Sequence, residues 1–261
     1  MTDPNQPLVN FLIVGAQRGG TTTLARYLQE HEDIFMAPCK EVHFFDRKAA
    51  PDGGWGDMAA KKEYESFFDG RTGESSVGEA TPIYMYLPEV AARIGAYNPS
   101  MKLIFLLREP GERAMSQYRH ERQLGREVLP LWLAILTEGM RLRLAQDDKS
   151  DRSSWRCHSY SDRGHYASQI KRCLEEFPRN QMLFLRSEDL FAGHSDCLER
   201  VFDFLGVAQP ASLPESARHN QAPGKANRNS RAARRVARAC LPSTCELEEL
   251  LGWDLSTWKD I

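Results

Sequence analysis

The chain has 261 residues, 41% hydrophobic and 27% charged, which excludes a disordered or fibrous polypeptide and fits a folded globular one. With 34 basic and 36 acidic residues the net charge is -2, so no whole-molecule attraction to nucleic acid or to an anionic membrane follows. No stretch reaches the ~20 apolar residues of a bilayer span, and the six cysteines show no CxxC pairing and no metal-ligand spacing with histidine. Reduced thiols in a cytoplasmic protein without a bound metal are therefore expected.

The apolar run Leu8 to Val14 predicts a buried strand that ends at Gly15. A glycine-rich turn follows, then a helix from Thr21 to Glu30 with Leu24 and Leu28 on one face. A strand, a glycine turn and a helix N-terminus in that order make an anion site, because unpaired N–H groups and the helix dipole converge there. Gly19 and Gly20 allow close backbone approach, and Thr21, Thr22 and Thr23 add hydroxyls. The spacing approaches a Walker A loop with Gly15 and Gly20 as its glycines, but Thr21 stands where the lysine belongs. The nearest cation is Arg18, inside the loop. That departure disfavours the alternative of a P-loop kinase or nucleoside triphosphatase, which places a lysine on the outer phosphates.

Asp33 to Met36 is a short apolar piece stopped by Pro38, and residues 38–46, PCKEVHFFD, are dense in ionisable and aromatic groups. A Gly/Pro/Asp-rich loop spans 47–60, and Tyr64, Phe67 and Phe68 share one face of a helix over 61–68. Val77 to Ala80 reads as a strand end, and Thr81-Pro82 opens a helix that runs to Pro88. Residues 101–107, MKLIFLL, form the second buried strand, with Pro110 starting a helix to about 124. Helices are expected over 130–145, 166–177, 195–205 and 231–251, a loop over 146–163 and a third buried strand over 181–185. Alternation of strands and helices gives an α/β class with a parallel sheet, in a single domain over 1–261.

Arg108 ends the second strand, where open α/β sheets bind ligands, and Ser116 lies two turns into the next helix. Arg113, Arg119 and Arg122 are read as a solvated face with Glu112 and Glu121. In KEVHFFD, an extended chain puts Glu41 and His43 on one side, where a carboxylate and an imidazole together can take a proton from a hydroxyl or amine. Asp46 is placed to orient a neighbour. The competing structural reading is an exposed loop over a buried Phe pair. Residues 218–238 carry six arginines and a lysine with no acid, a place for an anion to dock.

The chain resembles sulfotransferases that use 3′-phosphoadenosine 5′-phosphosulfate (PAPS), of the type related to heparan sulfate sulfotransferases and their soluble bacterial-type relatives. The resemblance rests on GAQRGGTTT at 15–23, KEVHFFD at 40–46, KLIFLLREPGERAMSQY at 102–118, RGHYASQIKRCLEEFP at 163–178 and FDFLG at 202–206. It implies a P-loop-like central parallel sheet flanked by helices. It also implies that Arg18, Gly19, Gly20, Thr21 and Thr22 hold the 5′-phosphate and bridging oxygen, with Arg18 stabilising the departing phosphate. Arg108 and Ser116 match the pair that binds the 3′-phosphate, Glu41 matches the general base with His43 and Asp46 beside it, and Lys225 and Arg228 are candidates for a loop over the nucleotide. PAPS is then the co-substrate, no metal is needed, and the partner is a saccharide or small-molecule acceptor, with no nucleic acid and no membrane span expected.

The sequence departs from those relatives at GEATP, where Ala80 replaces a lysine, and shows neither their disulfide pattern nor an N-terminal anchor. Ala80 is the feature that supports a third alternative, a catalytically silent PAPS-binding protein. Acceptor choice falls to loops such as 47–60 and 125–163; no residue pattern specifies the acceptor, O- over N-transfer, or an oligomeric state.

Overall fold

A computed structural model describes residues 8–47, 58–146, 148, 150–192, 194–210 and 230–261. Five strands are present: β1 (Phe11–Gly15), β2 (Ile34–Met36), β3 (Ser76–Ala80), β4 (Lys102–Leu107) and β5 (Met182–Arg186). They form one parallel sheet in the order β2-β3-β1-β4-β5. All of β1 and β3, and all but the first residue of β4, are buried; β1 and β4 accordingly read as continuous apolar runs, whereas β3 carries Ser76 and Glu79. The fold is α/β, a P-loop-like central parallel sheet flanked by helices.

The helices are α1 (Thr21–Gln29), α2 (Met58–Ser66), α3 (Val90–Tyr97), α4 (Pro110–Gln123), α5 (Leu131–Leu144), α6 (Ser154–Cys157), α7 (Tyr166–Glu176), α8 (Ser187–Ala192), α9 (His194–Leu205), α10 (Arg231–Leu251) and α11 (Ser256–Lys259). The expected helix over 81–88 does not form. Met85 donates its N–H to Val14 O on β1 at 3.0 Å, so the segment is held as turns beside the sheet. The loop expected over 146–163 contains α6, and α3, α8 and α11 have no counterpart in the sequence reading.

The described residues group into two compact units. The first holds everything before Arg108 together with the stretch from Arg172 to 210, and so contains the whole sheet. Its core joins Phe11 and Ile13 of β1 to Leu24 and Leu28 of α1 and to Val201 and Phe202 of α9. The second unit comprises residues 108–171 and 230–261. Its core joins Ala114 and Met115 of α4 to Ile135 of α5 and to Val236 and Cys240 of α10.

Candidate active site

The loop after β1 is folded tightly onto the sheet. Ala16 N–H donates to Leu106 O on β4 at 2.8 Å, and Gly19 N–H donates back to Ala16 O at 2.9 Å. A β-carbon at Gly19 would lie 2.3 Å from Leu106 O, and Gly20 has φ +101°, so both glycines are required by the loop itself. Ser187, at the start of α8, donates its hydroxyl to Gly19 O, a contact with no signal in the sequence. Gly20 caps α1 without a side-chain hydrogen bond. Thr23 and Leu24 N–H both donate to Gly20 O, and the N–H groups of Thr21 and Thr22 stand at the helix N-terminus, where anions bind. Thr21 and Thr23 are buried; Thr22 and Arg18 are half-buried.

Glu41 and His43 lie in the segment after β2, at the same end of the sheet as that loop. This segment is not extended: φ is +61° at Glu41 and +57° at His43. The side chains still meet, with His43 Nε2 3.4 Å from Glu41 Oε2 and His43 Nδ1 2.9 Å from Asp46 Oδ2. Lys40 Nζ approaches the other Glu41 oxygen at 3.2 Å. Among the described residues, Arg18 at φ +68°, Glu41 and His43 are the non-glycine residues with positive φ. Such backbone costs about 1–3 kcal/mol per residue and gathers at functional sites.

The Asp46–His43–Glu41 line sets the protonation. Burial works against a charged His43, but hydrogen bonds and charges from Asp46 and Glu41 outweigh it and lift the imidazole to about 9. Burial likewise pushes Glu41 up, but the His43 hydrogen bond and the Lys40 charge bring its carboxyl below the usual range. At neutral pH the line is an imidazolium between two carboxylates. Both ring nitrogens then donate, and Glu41 is held ionised with its orientation fixed.

Of the Phe pair expected to be buried, Phe45 is buried and Phe44 half-buried, and Glu41 and His43 stay partly exposed while Asp46 is buried. Phe45 is buried against Tyr64 and Tyr84, and Phe44 stacks on Tyr64 at 4.3 Å. Arg93 ties down the carbonyls of Phe45 and Arg47 at 3.0 and 3.1 Å.

Sequence reasoning missed Glu79, whose only signal was its place in GEATP. It is fully buried on β3. Its oxygens accept from the hydroxyls of Thr81 at 2.5 Å and Tyr84 at 2.8 Å. Those hydroxyls accept in turn from the backbone of the Glu41 segment: His43 N–H reaches Thr81 Oγ1 at 3.4 Å, and Phe44 N–H reaches the Tyr84 oxygen at 2.9 Å. Burial raises Glu79 to about 7, against the two hydroxyl bonds and the His43 charge. A raised folded-state pKa gives stability that is present below the unfolded value and lost as pH rises through the folded one. Wild type should therefore lose melting temperature relative to Glu79→Gln between about pH 5 and about pH 7, with a constant difference above. Parallel melting curves across that range would contradict this role.

Arg108 follows β4 and opens the second unit. Its Nη2 lies 2.9 Å from Glu112 Oε2, and Nε reaches the same oxygen at 3.2 Å. Ser116 is buried on α4. Arg113 corrects the expectation of a solvated arginine face: it is fully buried, bonded to Gln117 Oε1 at 2.8 Å and to Tyr160 O. Glu121 is buried too, Arg119 is half-buried, and Arg122 alone of the three arginines is exposed. The N-terminus of α4 is closed, because Glu109 accepts from Gly111 N–H at 2.8 Å and Glu112 N–H at 2.6 Å. Of these two strand-to-helix corners, only that of α1 lacks a side-chain cap. Lys225 and Arg228 lie outside the described residues. Among the described residues no group of His, Cys, Asp and Glu has the arrangement of a metal site, and no helix is long and apolar enough to cross a membrane.

Comparison with known proteins identifies the family. A solved sulfotransferase from Alicyclobacillus acidocaldarius superposes with a TM-score of 0.78 at 31% identity, covering 96% of this chain and 98% of that one. Human heparan sulfate glucosamine 3-O-sulfotransferase 3A1 is 30% identical over 79% of this chain and 46% of its own length. Human heparan sulfate glucosamine 3-O-sulfotransferase 6 is 32% identical over 75% of this chain and 52% of its own length. The chain thus spans about half the length of these curated relatives. Residues 9–222 match the model of the Sulfotransferase domain family, and the chain belongs to that family of transferases.

Proposed function

We propose that this chain moves a sulfuryl group from PAPS to a hydroxyl, less favourably an amine, of a saccharide or small molecule, with Glu41 as general base. The observation that carries this reading is the Asp46–His43–Glu41 line at 2.9 and 3.4 Å. The donor supplies an activated sulfuryl group on a phosphate leaving group. The uncapped N-terminus of α1 fits the anionic end of such a donor, and Arg18 is the cation for the departing phosphate. Gly19, Gly20, Thr21 and Thr22 complete that cradle. His43 and Asp46 hold the Glu41 carboxylate, and the acceptor displaces Lys40, whose side chain is 44% exposed and only weakly held. The acceptor class rests on the heparan sulfate enzymes among the relatives.

Arg108 and Ser116 are assigned to the 3′-phosphate, with Lys225 and Arg228 over the nucleotide. Replacing Arg108 with Ala should weaken PAPS binding by about 1.5–3 kcal/mol, as expected for a charged hydrogen bond. Calorimetry showing unchanged affinity would remove Arg108 from the nucleotide. We read the chain as one domain, supported by a family match that runs through segments of both units. The six free cysteines, four of them buried, support a reducing compartment such as the cytoplasm.

A second reading has one observation in its favour: buried Ala80 ends β3 where relatives are expected to carry a lysine. In that reading the protein binds PAPS without transferring. Measuring PAPS affinity beside acceptor-dependent transfer of radiolabelled sulfate separates the two: binding with no transfer to any hydroxyl or amine acceptor would favour the silent form.

A further inference from the structure

Among the described residues, every exposed large hydrophobic side chain lies in the segment 124–144. These are Leu124, Val128, Trp132, Leu136, Met140 and Leu144, from 49% to 81% exposed. The last four recur at every fourth position of α5, forming a ridge about 18 Å long at 1.5 Å per residue. Ala134, Ile135 and Leu142 of the same helix are buried. One face of α5 therefore fills the core of the second unit, and a second apolar face meets solvent.

Along the ridge itself the exposed charges are basic, and the exposed acids Asp148 and Asp151 follow beyond the end of α5. Arg122, Arg126 and Arg143 are exposed, whereas Glu121, Glu127 and Glu138, the acids of residues 119–146, are buried. Glu127 faces inward to Arg141 and to the Tyr160 hydroxyl, each at 2.7 Å. Glu138 accepts from the N–H groups of Ser161 and Asp162 at 2.9 Å. The outer surface combines an aromatic and aliphatic ridge with the exposed guanidinium groups of Arg122, Arg126 and Arg143, of which Arg126 lies 3.8 Å from Glu121 Oε2.

We propose that this face docks on an anionic phospholipid bilayer, with Trp132, Leu136 and Met140 in the interfacial layer and the arginines on headgroup phosphates. Trp and long aliphatic side chains enter that layer with favourable burial, and guanidinium forks match phosphate oxygens. A second copy of the chain fits less well. Pairing two ridges gathers the exposed Arg122, Arg126 and Arg143 of both copies at one interface, and the nearest exposed acids in sequence among the described residues are Asp148 and Asp151, beyond the end of α5. The net charge of -2 gives no global attraction, so the docking is local to this face.

The test is flotation of the purified full chain with phosphatidylcholine vesicles, with and without phosphatidylglycerol. The chain should float with the anionic vesicles, stay behind with neutral ones, and be released near 1 M salt, where screening falls to about 3 Å. Leu136→Glu combined with Met140→Glu should abolish flotation. Arg122→Ser and Arg143→Ser should each lower partitioning about fivefold. Thermal melts of these variants should match wild type, since the side chains are exposed. The proposal is overturned by no flotation, by equal flotation with neutral vesicles, or by a double variant that floats unchanged. A dimer in sedimentation equilibrium that Leu136→Glu dissociates would assign the face to a second copy instead. None of these readouts depends on sulfuryl transfer.

Discussion

Replacing Glu41 with Gln is expected to lower kcat by about 10²–10⁴-fold, the range for removing a positioned general base. PAPS affinity should stay unchanged. The amide preserves shape, but it cannot take a proton from the acceptor. The surrounding contacts make Glu41 an ionised acceptor in the free protein: the raised His43 donates from one side, and Lys40 pairs with the other oxygen. Because the carboxyl sits below the usual range, activity should hold through neutral pH and fall in acid, as Glu41 becomes protonated. In Glu41→Gln that acid limb should vanish with the activity. Wild-type turnover in the variant would remove Glu41 as the base, whatever happens to nucleotide binding.

The second large effect is expected at Arg18. Arg18→Ala should reduce kcat by about 10²–10³-fold, the magnitude for losing one preorganised donor to developing charge. Arg18→Lys should recover part of that rate, because charge is kept while the planar fork is lost. Arg18 is held at φ +68° in a loop whose neighbours Ala16 and Gly19 are tied to β4 and to each other, so its position follows from the backbone. A variant with raised KM and unchanged kcat would mean that Arg18 binds substrate and transition state equally.

The parallel sheet was legible because β1, β4 and most of β5 read as apolar runs, while β3 with Ser76 and Glu79 showed only as a strand end. Helices α4 and α10 were legible from Pro110 and from long periodic patterns. The segment 81–88 was not, because Thr-Pro resembles a helix start, while the bond from Met85 to β1 is a tertiary contact no local pattern encodes. Glu41 and His43 were found together for an incomplete reason. Alternation in an extended chain placed them on one side, but the backbone reaches their contact through two positive-φ residues. Arg113 was misread because spacing shows a charge on a helix, not the buried Gln117 and Tyr160 acceptors that receive it. Glu79 escaped notice because its partners Thr81 and Tyr84 are ordinary residues until the turn brings their hydroxyls onto one carboxylate.

The most direct measurement is a single-turnover assay with radiolabelled PAPS, a panel of saccharide and small-molecule hydroxyl and amine acceptors, and the wild-type and Glu41→Gln proteins side by side. The account predicts label in at least one acceptor with wild type, transfer slowed about 100-fold or more with the variant, and equal PAPS binding by both. Equal label with both proteins, or phosphate release from ATP and magnesium in place of sulfate transfer, would contradict it.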